Sequence, residues 1–196
     1  MKLLRIKFEK TGLAKYISHL DLNRVFARAL ARAKIDVAHS EGFNPRPKIV
    51  FASAISLGME SLCEFADIKT SETQIFEKIK NVFPDGINIL EVYEPENNFK
   101  NIDSTRFHIY IKTSEQIDTS FDIVVEKKPG ININLKDYIL ESVLTESGEY
   151  KLIDITVKTN PEMYLNPENI IKGINNIEDY FIRKIEVHDK NNTIFR

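Results

Sequence analysis

Six apolar residues, Leu22, Val25, Phe26, Ala29, Leu30 and Ala33, recur at helical spacing along one short stretch of the chain. That period places them on one face of an α-helix, and such a stripe is stable only when another layer of structure covers it. Ser18 stands just before the run and Asp21 follows three residues later, a capping box with Asp in place of Glu. The spacing predicts a helix from His19 to near Lys34.

The flanking segments supply the covering layer. Residues 3–8 alternate imperfectly as a first strand. Gly42-Phe43-Asn44-Pro45-Arg46-Pro47 interrupts the chain after the helix. Pro45 and Pro47 lack an N–H and hold the residues before them extended, so this is a stiff loop. Residues 49–55 read as a strand, Leu57-Gly58-Met59-Glu60 as a turn, and residues 62–69 as the antiparallel neighbour. Ser71 is placed to cap a second helix with Ile75, Phe76, Ile79 and Val82 inward, which Pro84-Asp85-Gly86 ends before a fourth strand over 87–93. The order βαββαβ predicts a ferredoxin-like domain over residues 1–95, with both helices on one face of a four-stranded sheet.

Pro95-Glu96-Asn97-Asn98 is polar and turn-rich, and marks a boundary. Residues 104–196 read as a smaller, strand-rich α+β domain, so the expected fold class of the chain is α+β. Its strands are predicted over 107–112, 121–127, 138–144, 152–158 and 181–187. Pro167 opens a helix there at its first position, with Ile170, Ile171, Ile174 and Ile177 on the apolar side.

Charge is distributed unevenly. Residues 1–50 hold eleven Lys/Arg and four acids, or +7, and the formal net charge of −2 leaves −9 on the remainder. Such asymmetry suits a polyanionic partner for the basic segment, or an internal match between basic and acidic segments. Arg24, Arg28 and Arg32 recur every four residues, a slowly turning stripe away from the apolar face whose guanidinium forks suit phosphates; the alternative is a solvated helix face. Ser18 and His19 sit at the helix start, where free N–H groups favour an anion. Asp21 is a structural capping acid. In the loop, Phe43 is placed to stack a base, Asn44 to read an edge, and Arg46 and Lys48 to hold phosphates. Gly42 belongs to the same RNA-contacting set, and Pro45 and Pro47 supply the bracing. The alternative is a connector whose Phe43 plugs the core. Glu60, Glu64 and Asp67 read as surface charge or as partners of nearby arginines.

Several chemistries have no footing in the sequence. There is no Walker loop, GxGxxG, nucleophile elbow or HExxH. Cys63 is the one cysteine, so neither an internal disulfide nor a cysteine-held iron–sulfur cluster is available, and the expected Cys63 is small and buried. His39, His108 and His188 have no ligand spacing. No cofactor and no metal are expected. No apolar run has membrane-spanning length and the charged start lacks a secretory h-region, so a cytoplasmic protein without membrane contact is expected.

The run Tyr16-Ile17-Ser18-His19-Leu20-Asp21-Leu22-Asn23-Arg24 is followed by Arg28-Ala29-Leu30 and by Ser40-Glu41-Gly42-Phe43-Asn44-Pro45-Arg46-Pro47-Lys48-Ile49. Together they resemble the bacterial radical-SAM-associated family known as domain of unknown function 2344. Leu57-Gly58, Glu60-Ser61 and Glu64 continue the match. In that family the domain is joined to a radical-SAM protein or encoded as a separate chain, and this sequence resembles the separate form. The resemblance implies an accessory or substrate-presenting role beside a radical-SAM enzyme, and RNA or a ribosomal particle as the substrate class. Three readings stand at this point. One is a non-catalytic RNA-contacting module. The second is a domain that docks on the radical-SAM partner without touching RNA. The third is a ferredoxin-like endoribonuclease with His19 as its catalytic group.

Overall fold

Leu4, Ile6 and Phe8 are buried and alternate with Arg5, Lys7 and Glu9, the period of a strand that separates two faces. The computed structural model describes residues 1–53 and 55–196. It divides the chain into two units, Met1–Asn97 with Arg196, and Asn98–Phe195. The fold is mixed α/β and rich in strands.

The first unit runs β1 (Lys2–Lys10), α1 (His19–Arg32), β2 (Ile49–Phe51), β3 (Glu60–Thr70), α2 (Phe76–Ile79) and β4 (Ile87–Tyr93). Its strands lie in the order β4-β1-β3-β2, every pair antiparallel. Ile6 faces Ala66, and Phe8 faces Glu64, across β1 and β3. Leu22, Phe26 and Leu30 of α1 join Leu4, Ile6, Phe8, Ala66 and Ile68 in one core. Phe26 is its centre: its ring lies 4.8 Å from Phe8, 5.0 Å from Phe51 and 4.7 Å from Phe83. Burying one such ring contributes about 1.5–3 kcal/mol.

The helix starts where the capping pattern predicts and stops at Arg32, with Lys34 in the left-handed region at φ 56 and Ile35 N donating to Leu30 O. The second predicted helix is much shorter. Ile75 and Ile79 are buried, but α2 holds four residues, and its N-cap is Ile75 without a side-chain bond. Ser71 does not cap it, because its hydroxyl donates to Asp36 Oδ2 at 3.2 Å. The strand expected over 49–55 is regular only through Phe51, and Ala54 lies outside the described residues.

The second unit runs β5 (Ile102–Thr113), β6 (Val124–Lys128), β7 (Ile131–Asn134), β8 (Ile139–Ser147), β9 (Tyr150–Lys158), α3 (Glu168–Ile171) and β10 (Ile177–Asp189). An antiparallel sheet orders them β10-β5-β9-β8, and β6 and β7 form a separate hairpin. Phe107, Ile109 and Ile111 of β5 are buried beside Ile153, Ile155 and Val157 of β9. This unit matches the first in length and is not smaller. Phe121 precedes its strand at φ 48, buried, instead of opening it. The isoleucine run after Pro167 is not one helix. Pro167 is the N-cap, α3 ends at Ile171, Gly173 and the left-handed Asn176 (φ 51) follow, and Ile177 opens β10.

Candidate functional site

At the start of α1 the Ser18 hydroxyl accepts a bond from Asp21 N (3.1 Å) and donates to Asp21 Oδ2 (2.7 Å). Arg24 Nη1 donates to Asp21 Oδ1 at 2.8 Å. The Ser18 hydroxyl and the Arg24 guanidinium hold the Asp21 carboxyl below its ordinary range. Arg24 is therefore neutralised on its own helix. Arg32 is turned onto Val82 O. Arg28 is exposed and forms no ion pair among the described residues. The three-arginine stripe thus leaves one uncommitted cation.

His19 is exposed at the first helical position, its ring edge-on to Phe51 at 5.4 Å. With Lys10, Leu22, Phe51, Ile55 and Glu64 it lines a cavity of about 10 Å³. Lys10 and Glu64 are buried there. Glu64 is thus not a surface charge, and neither is Asp67, which Arg5 grips from the neighbouring strand.

The proline-braced loop has a shape that proline content alone does not define. Val37 bridges Thr70 of β3, and Ile49 pairs with Ile68 two residues earlier on the same strand. Ala38 N still donates to Lys69 O of β3 at 2.8 Å, so the edge strand is continuous in register while residues 39–48 leave it. The excursion closes on itself through Ser40 N to Arg46 O (2.8 Å), Lys48 N to Ala38 O (2.7 Å) and Arg46 N to Ser40 Oγ (3.0 Å). His39 bridges Pro47. Gly42 sits at φ +116, a conformation that favours glycine. Glu41 through Arg46 are exposed, and Phe43 is 112% exposed relative to its reference, so it plugs no core. Asn44 lies beside it, and the Arg46 and Lys48 side chains form no ion pair among the described residues. The excursion rejoins the sheet at β2, one of the strands that α1 contacts.

The second unit carries a polar face that the sequence reading passed over. Arg106 of β5 grips Asp154 of β9 through two bonds, 2.8 and 2.6 Å, and lies 3.7 Å from Glu186 of β10. His108 is 3.5 Å from Asp154, and His188 is 3.5 Å from Glu186. The Arg106 guanidinium holds the Asp154 carboxyl below its ordinary value. These residues, apart from His108, line a groove of about 550 Å³ with Glu141, Thr156 and Lys190. Across β5 and β10 Tyr110 stacks on Phe181, ring centres 4.3 Å apart. The signal for this face is alternation: Arg106, His108 and Tyr110 interleave with buried Phe107, Ile109 and Ile111. Among the described residues no group of three or more His, Cys, Asp or Glu is placed to hold a metal ion. None of the helices among them is long and apolar enough to cross a membrane.

Two strand-rich units, the first bearing a capped basic helix and an extruded hairpin, describe a mixed α/β protein with no recognisable catalytic constellation in those two elements. The model of a family described as an uncharacterized protein conserved in bacteria, DUF2344, matches residues 3–167, and the chain belongs to that family. The match takes in α1 and the whole hairpin. No curated protein matches the chain.

Proposed function

We propose that this protein is a non-catalytic accessory that contacts RNA through its first unit and presents it to a separate radical-SAM enzyme in the cytoplasm. One observation carries the reading. Arg28 of α1 and Arg46 and Lys48 of the hairpin are exposed cations without ion pairs among the described residues, and the hairpin also carries a wholly exposed aromatic ring at Phe43. Cations left without carboxylates suit phosphates, and an unpacked aromatic suits a base. Gly42, Asn44, Pro45 and Pro47 shape and stiffen the hairpin that carries them, while Ser18 and Asp21 anchor the helix. The strand order β4-β1-β3-β2 supports a ferredoxin-like assignment for this unit.

Fluorescence anisotropy of labelled RNA across a salt series tests the reading. Binding is expected to weaken steeply with salt, and Arg28→Ala with Arg46→Ala to reduce the slope by about 2. Binding that is absent, or indifferent to salt, overturns it. A second reading, a domain docking on the radical-SAM partner without RNA, draws on the apolar character of the Phe43 tip. Co-purification that survives nuclease treatment favours it.

A further inference from the structure

We infer that the hairpin at residues 38–48 selects unpaired RNA by stacking Phe43 on a base that no duplex offers. The inference rests on the RNA reading above and names the substrate class of that same surface.

Three features lead to it. First, the excursion is inserted into an edge strand whose register continues on both sides, so it projects from the sheet without breaking it. Second, it is closed by backbone bonds at Ser40, Arg46, Lys48 and Ala38, so the tip is held out instead of folding back. Third, Phe43 is exposed to 112% of its reference, so the described residues leave its ring uncovered. The whole ring is therefore open to a partner, and covering it would remove apolar surface from water.

The flanking chemistry identifies the partner. Asn44, next in the chain, carries an exposed amide, and Arg46 and Lys48 carry exposed cations within five residues of Phe43. Ring, amide and cations together match base, base edge and phosphate. In duplex RNA the base faces are stacked on one another and the major groove is too narrow to admit a side chain. A hairpin tip cannot reach a base face there. In a single strand, loop or bulge, the face is available. The cations serve either form of RNA, so they set affinity while Phe43 sets the preference for unpaired bases.

The chain contains no tryptophan, so Phe43→Trp in the full chain makes indole emission report on the hairpin tip alone. The probes are a mixed-sequence RNA of about twelve nucleotides, a length within single-strand site sizes, and the same strand annealed to its complement. Saturable quenching is expected with the single strand and little with the duplex. Phe43→Ala is expected to weaken single-strand binding about 5- to 150-fold, the value of one stacked base, and to leave duplex binding unchanged. Arg46→Ala is expected to weaken both. Urea midpoints equal to wild type establish that each variant folds.

Equal quenching by the duplex overturns the selectivity. Salt-sensitive RNA binding with unchanged emission and an unaltered Phe43→Ala affinity overturns this inference and leaves the RNA reading standing. No RNA binding by the wild-type chain overturns both. Should Phe43→Ala abolish a nuclease-resistant protein association while RNA affinity stays intact, the ring is a protein anchor and the inference fails.

Discussion

Arg24 Nη1 rests 2.8 Å from Asp21 Oδ1 on the same face of α1, and Ser18 holds the other oxygen of that carboxylate at 2.7 Å. The cap that starts the helix therefore also occupies its first arginine. Arg24→Ala is expected to change RNA affinity less than Arg28→Ala. Asp21→Asn keeps the Ser18 cap but releases Arg24, and is expected to raise affinity about threefold and steepen the salt slope by about 1. Anisotropy at two salt concentrations reads both effects. A larger loss from Arg24→Ala than from Arg28→Ala would show that the ion pair opens on binding.

Arg5 and Asp67 face each other in register across β1 and β3, joined by bonds of 2.8 and 2.9 Å, with the arginine side chain 0% and the aspartate 11% exposed. Removing one partner strands a charge away from water. Arg5→Met is expected to cost about 3–5 kcal/mol in urea unfolding, and Arg5→Met with Asp67→Leu markedly less, since a buried pair and an apolar pair of like volume differ little. Additive losses in the two single variants and the double would contradict this coupling.

What could be read from the sequence follows from how far apart the interacting residues are. The start of α1 was legible because Ser18, Asp21 and the apolar stripe all lie within one short segment. Strand β4 was legible because Gly86 and Pro95 bracket its run. Ser71 misled because its partner, Asp36, is 35 residues away and the competing bond is invisible locally. The prolines announced a stiff loop, but its insertion into an edge strand depends on Val37 reaching Thr70, a tertiary contact. Arg106 was missed because β5 begins at Ile102, five residues before the clear alternation, and its partner Asp154 is 48 residues on. Local periodicity outlines the strands and α1, and long-range pairing decides which charges are spent.

Gly86 closes the first unit at the foot of β4. It has φ +83, its carbonyl accepts from Thr11 N at 2.8 Å, and a Cβ there would stand 2.3 Å from Thr11 O and 2.9 Å from Ala14 Cβ. Gly130 has φ +76 but nothing within 4 Å of such a Cβ. Gly130→Ala is expected to cost about 1–2 kcal/mol, the left-handed penalty alone. Gly86→Ala adds a backbone collision and is expected to cost about 3 kcal/mol or more. Thermal or urea melts of the two variants compare them directly, and equal losses would mean that the Thr11 turn yields freely.

The Arg106–Asp154 pair makes the stability of the second unit depend on acid. The Arg106 guanidinium, bonded to both carboxylate oxygens, outweighs the burial that would raise the Asp154 pKa, and the group lies below its ordinary 3.8. A depressed folded pKa means that the unfolded chain binds the proton more readily, so the contribution is complete above the ordinary carboxylate range and is lost as pH falls through the folded value. With Arg106 39% exposed, water screens the pair, and Asp154→Asn is expected to cost only about 1 kcal/mol at neutral pH. The same variant is expected to lose less stability than wild type between pH 5 and pH 2, because it no longer carries that proton linkage. Urea midpoints across that range measure the difference. If the wild type and the variant decline in parallel, the pair adds nothing to the acid response, and the carboxyl is titrating as it would in the unfolded chain.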